Sequence, residues 1–110
     1  MNNFEVIVCR MLKGDEELRA SVVERTTDGK LVNELGFVRE DCPEKLADKV
    51  LSLGSLEGMN YRTRNEGVRI KKSKSTGNIS LSKSSCGKMS RYQFDTFTHS
   101  LRQKMQLASV

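Results

Sequence analysis

The chain has no tryptophan, one proline, one histidine, two tyrosines and four phenylalanines among its 110 residues. A lone imidazole, His99, with no acid or thiol at useful spacing composes neither a catalytic triad nor a metal site, and it reads as an ordinary surface side chain. No apolar run approaches a membrane span: Val6-Ile7-Val8-Cys9 is bounded by Glu5 and Arg10. Neither signal peptide nor anchor is expected, and the expected setting is soluble, cytoplasmic and without a membrane partner. Cys9, Cys42 and Cys86 are odd in number and far apart, with no CxxC or Cys/His cluster to hold zinc, so they read as reduced thiols. With so little proline and no long biased tract, wholesale disorder is not expected.

The sharpest absence is one of charge. Between Glu66 and Asp95 lie twenty-eight residues with no acidic side chain and seven basic ones, Arg69, Lys71, Lys72, Lys74, Lys83, Lys88 and Arg91. Residues 1–58 carry eight Lys/Arg against twelve Asp/Glu, net −4, whereas residues 59–110 carry eleven against two, net +9. The overall +5 hides this split, which points to a polyanionic partner, most often nucleic acid. The length suits a single domain over 1–110, with an acidic half (1–58) and a basic half (59–110).

Phe4 to Leu12 has the β-branched density of a strand, and Lys13-Gly14-Asp15-Glu16-Glu17 supplies a polar turn. Leu18, Ala20 and Val22 alternate with Arg19, Ser21 and Val23, a period of two that puts one face inside. Thr27-Asp28-Gly29-Lys30 is an Asp-Gly hairpin connector, and a third strand follows over Leu31 to Val38. Asp41-Cys42-Pro43-Glu44 reads as a helix start, with Leu46, Val50 and Leu53 as its buried stripe and Gly54 as its stop. Residues 54–58 form a connector where the charge changes sign. Strands are expected at 59–64, 67–73 and 78–84, joined by Asn65-Glu66 and by Lys74-Ser75-Thr76-Gly77. Ser90 then caps a helix whose Phe94, Phe97, Leu101 and Met105 form an apolar stripe.

Alternation assigns faces. Val68 and Ile70 are expected toward the core with Ile79 and Leu81, leaving Arg69 and Lys71 on the other side beside Ser80 and Ser82. Met59, Tyr61 and Thr63 point one way, and Asn60, Arg62 and Arg64 the other. Three neighbouring strands would therefore gather Arg62, Arg64, Arg69 and Lys71 on one wet face, extended at the hairpin tip by Lys72 and Lys74 and widened by Lys83, Lys88 and Arg91. A polar outer sheet face is also what any soluble protein shows, but a random surface mixes its signs, and acids are nearly missing here.

Base stacking has little to work with, since Tyr61, Phe94 and Phe97 fall on core faces. Tyr92 lies opposite the stripe of the last helix and reads as packed under a loop rather than as a contact residue. Duplex or structured RNA is thus favoured over single strands. Ser84-Ser85-Cys86-Gly87-Lys88 lacks the glycine a P-loop needs at position 82, and Met89 stands where Ser/Thr is required. Cys86 sits between Lys83 and Lys88 without a base to activate it. Asp15, Glu16 and Glu17 solubilise a turn rather than hold a metal.

Ile79-Ser80-Leu81-Ser82 ahead of Phe94 and Phe97 resembles the strand-to-helix junction of single-stranded-DNA-binding transcriptional coactivators. The likeness spans a short part of the chain, the Ser84–Met89 insertion departs from it, and no residue role is carried over.

The expectation is an α+β protein, a mostly antiparallel sheet in the order β-β-β-α-β-β-β-α with two helices packed on one face. It would bind nucleic acid without catalysis, cofactor or metal. The alternative is a protein-binding regulator or inhibitor, of the kind mobile elements encode, docking on a larger nucleic-acid-handling machine through an acidic surface of that partner. Pairing of the two oppositely charged halves in a homodimer is a further option.

Overall fold

Val6, Ile7, Val8 and Cys9 are buried in unbroken succession, which a strand permits only when both of its faces are covered. In the computed structural model, which describes residues 3–12, 17–53, 61–82 and 86–108, this strand is β1 (Asn3–Met11). It pairs antiparallel with β2 (Leu18–Arg25), which in turn pairs antiparallel with β3 (Leu31–Glu40), the meander expected from alternation. The β2–β3 connection closes through Thr26 N–H to Lys30 O and Gly29 N–H to Thr26 O, each 2.9 Å. Gly29 takes φ +89°, so the positive dihedral falls on glycine, where no Cβ opposes it.

The second half enters the same sheet. β4 (Tyr61–Asn65) lies parallel to β1 on its outer side, with Phe4 opposite Tyr61 and Val8 opposite Asn65. The sheet order is β3-β2-β1-β4. β5 (Arg69–Lys72) and β6 (Ile79–Ser82) form a separate two-stranded ladder, and β7 (Cys86–Gly87) pairs with β1 at Arg10 and Met11. The protein is α+β with a mostly antiparallel sheet and two helices, as expected. It differs from the expected order by β7 and by the parallel β4. An apolar strand such as β1 cannot leave the N–H and C=O groups of one side unpaired, and β4 and β7 together satisfy that side.

Helix α1 (Pro43–Ser52) begins after an extended Cys42, with proline in its first turn and Glu44 near the positive end of its dipole. Helix α2 (Arg91–Ala108) begins with a capping box: Gln93 N–H donates to Ser90 Oγ (3.1 Å) and Ser90 N–H to Gln93 Oε1 (3.4 Å). Both helices bury their stripes against one face of the sheet, where Leu46, Ala47, Val50, Phe97 and Leu101 meet Val6, Val8, Leu18, Ala20 and Val22. A Cβ on Gly36 would stand 2.6 Å from Leu53 Cδ2, so a side chain here would push the Leu53 side chain at the end of α1 out of its present place over β3. No helix among the described residues is long and apolar enough to cross a membrane, and no disulfide joins the cysteines among them.

The opposite face carries a smaller cluster of Ile7, Val23 and Val68, with Leu31 and Leu81 packed against it. Leu81 belongs to β6, so the β5–β6 hairpin lies over the side of the sheet that the helices leave open.

Candidate nucleic-acid interface

The β5–β6 ladder sets Arg69 opposite Ser82, Ile70 opposite Leu81, Lys71 opposite Ser80 and Lys72 opposite Ile79. Residues directly opposite in an antiparallel pair share a pleat, so Lys71 and Ser80 occupy one side and Leu81, the next residue along β6, the other. Leu81 packs on the Ile7–Val23–Val68 cluster, and Lys71 and Ser80 are exposed. The hairpin thus turns its serine-and-cation side outward. The exposed Lys71 and Ser80 and the packed Leu81 match the phase expected from alternation.

Its tip is shaped by hydrogen bonds within residues 73–78. Ser73 N–H donates to Asn78 O and Gly77 N–H to Ser73 O, both at 2.9 Å, and Gly77 takes φ +72°. Thr76 N–H donates to Ser73 Oγ at 3.3 Å. Lys74 stands exposed in this turn. Val68, buried at 8% exposure, pins the chain to the sheet just before β5. Behind it Gly67 passes so near β7 that an added Cβ would lie 2.9 Å from Cys86 O.

The other expected cations are placed differently. Arg62 and Arg64 belong to β4 of the main sheet, so β4, β5 and β6 are not three neighbours of one sheet. The single face of Arg62, Arg64, Arg69 and Lys71 therefore does not form, because β4 was drawn to β1 rather than to β5. Arg64 is also committed: Nη1 lies 3.5 Å from Glu5 Oε1 and Nε 3.4 Å from Glu66 Oε1. Glu5, only 5% exposed, also receives Arg25 Nη2 at 3.2 Å. A carboxylate from the acidic half thus cancels part of the cationic charge of the basic half. Arg62 is exposed on the edge strand with no ion pair among the described residues.

Lys72 lies in β5 opposite Ile79, out of phase with Arg69 and Lys71. Lys83 lies outside the described residues, as do Met59 and Asn60. Lys88 is exposed before α2, and Arg91 is exposed in the helix's first turn, with Nε 3.9 Å from Asp95 Oδ2. Compared with known proteins, the chain matches no family model, no curated protein and no solved structure. Function has to be read from residues and geometry.

Two side chains depart from the reading of the sequence. Tyr92 is 80% exposed rather than packed under a loop, since nothing among the described residues covers the outer side of α2 at its start. Arg102 is absent from the expected site, yet it stands one helical turn beyond Thr98, on the flank of the apolar stripe and facing β4 across a groove. A helical projection placing Arg102 beside Leu101 and Met105 was the available signal. Tyr61, by contrast, packs against the core as expected.

Proposed function

We propose that the protein binds nucleic acid without catalysing a reaction, through the outward side of the β5–β6 hairpin. The carrying observation is the ladder register, which pairs Arg69 with Ser82 and the exposed Lys71 with the exposed Ser80, while Leu81 packs against the sheet. Lys74 extends this surface at the tip, and no acidic residue occurs from Gly67 to Phe94 to offset it. Lysine and arginine on a two-stranded ribbon neutralise phosphates, and the serines add neutral donors to phosphate oxygens. The hairpin offers no exposed ring for stacking, which favours duplex or structured RNA over single strands. Electrophoretic shifts with duplex DNA, single-stranded DNA and RNA at two salt concentrations test the proposal. Lys71→Glu with Lys74→Glu should abolish binding and leave the thermal transition nearly unchanged, whereas equal binding by that variant and the parent would move the site elsewhere.

A second reading, a regulator that docks on another protein, draws on Val32, Leu35 and Phe37, which are exposed on the edge strand β3. Register shifts interrupt β3 at this stretch, and such bulges oppose simple strand addition, so docking would use side chains rather than backbone. The readout is a stoichiometric protein complex that survives nuclease and is lost on Phe37→Glu.

A further inference from the structure

Asn65, at one end of β4, is bound to Met89 just ahead of α2, whereas Tyr61, Arg62 and Thr63, near the other end, share a groove with Thr98 and Arg102. Helix α2 therefore runs back along β4, and the groove lies between the helix flank and the free side of the edge strand. Its volume is about 480 Å³ and no carboxylate lines it. Arg62 also borders two adjoining hollows, one of about 260 Å³ with Asn3, Phe4 and Tyr61, the other of about 140 Å³ reaching to Arg25, Thr26 and the carboxylate-bearing Glu5.

The arginines of these two elements divide cleanly. On β4, Arg64 is held by Glu5 and Glu66; on α2, Arg91 is approached by Asp95. The remaining pair, Arg62 and Arg102, is exposed, has no ion-pair partner among the described residues, and lines one groove from its two sides. Two guanidinium groups supply a charge of +2 and forked donors that match phosphate oxygens, better suited to a dianion than to the single charge of a phosphodiester. Thr63 and Thr98 bring hydroxyl groups, and Tyr61 closes the wall toward the core. Small-molecule sites usually measure about 300–1,000 Å³, so the space suits a group the size of a nucleotide rather than an isolated ion.

We propose that this groove binds a phosphate monoester, with Arg62 and Arg102 sharing its dianionic charge and the threonine hydroxyls completing its hydrogen bonds. The site is separate from the hairpin and does not rest on the hairpin's role. The monoester can belong to a free nucleotide or to the phosphorylated end of a strand, and the chemistry at the groove is the same.

Amide chemical shifts of the full chain during titration with adenosine, adenosine monophosphate and short oligonucleotides, with and without a 5′-phosphate, test it. Adenosine monophosphate should give saturable shifts at Thr63, Thr98 and Arg102, and adenosine should not. Arg62→Ala and Arg102→Ala should each weaken binding about tenfold, the size of one charge-assisted hydrogen bond, with Arg102→Lys between parent and Arg102→Ala. Lys71→Glu with Lys74→Glu should leave this binding unchanged, so failure of the hairpin proposal would be seen separately. Displacement of the nucleotide by the 5′-phosphorylated oligonucleotide alone identifies a strand end, and no displacement identifies a free nucleotide. Equal responses to adenosine and its monophosphate would overturn the proposal. So would unaltered affinity in a folded Arg62→Ala/Arg102→Ala double variant.

Discussion

The side-chain amide of Asn65 clasps the backbone of Met89 from both directions: Nδ2 donates to Met89 O at 2.9 Å, and Met89 N–H donates to Oδ1 at 2.8 Å. One asparagine thereby imitates a rung of sheet and ties the end of β4 to the approach to α2. Met89 itself is buried in the main core, so the clasp fixes where the helix starts. Asn65→Ala should lower stability by about 2 kcal/mol, two hydrogen bonds at roughly 1 kcal/mol each. A shift of the urea midpoint at constant m-value checks it; an unchanged midpoint would mean that the clasp adds nothing net.

Glu5 is the junction of three strands, since it belongs to β1 and receives Arg25 of β2 and Arg64 of β4. Removing the carboxylate leaves two guanidinium groups against a largely buried site, where Arg25 Nε already lacks a hydrogen-bond partner. Glu5→Ala should cost about 2–3 kcal/mol, and Glu5→Gln less because it keeps the volume. Pairing Glu5→Ala with Arg64→Ala in a double-mutant cycle should give a total smaller than the sum of the single losses, and strict additivity would show that the two do not interact.

Binding through the hairpin carries a defined salt signature. If Arg69, Lys71 and Lys74 each neutralise one phosphate of a duplex, log affinity should fall against log salt with a slope of about −2.7, at roughly −0.9 per phosphate. Charge removal at Lys74 alone should reduce the magnitude of that slope by about 0.9. An affinity that does not change between low and moderate salt is the contrary result.

Asp28 provides a local pH marker. The Thr26 hydroxyl donates to its carboxylate, and with help from the backbone N–H of Asp28 this holds the carboxyl below its ordinary value of 3.8. Because the folded pKa is depressed, the contribution of Asp28 to the β2–β3 turn is complete above the unfolded carboxyl's range and is lost as pH falls through the lower folded pKa. Thr26→Val should raise the Asp28 pKa toward 3.8, read from the carboxyl carbon shift during acid titration. A pKa unmoved by that substitution would assign the shift to the backbone instead.

Local chemistry made much of the fold legible. The Asp28-Gly29 turn and the Phe97–Leu101 stripe each depend on neighbours in sequence and appear where the sequence puts them. Leu18, Ala20 and Val22 share one core face as expected, although Ser21 and Val23 on the other face, the hairpin side, are buried as well. The hairpin was legible too, since Lys71 and Ser80 share the exposed side that a period of two implies. Alternation says which side of a strand a residue occupies but not which strand lies beside it. The partner of β4 is β1, more than fifty residues away, and that choice is made by the unsatisfied side of an apolar strand. Missing it spread the expected cationic face over two ladders. The clue was Glu5, a carboxylate between Phe4 and Val6 that could be buried only with a cation brought from elsewhere.

Seating β4 alongside β1 also governs how the molecule can be made. During synthesis the first three strands and α1 emerge from the ribosome ahead of Tyr61–Asn65, so a nascent meander displays the hydrogen-bonding rim of its most oily segment to solvent. Translation that pauses in this interval would hold the chain in its most aggregation-prone form, and arrival of β4 seals the rim.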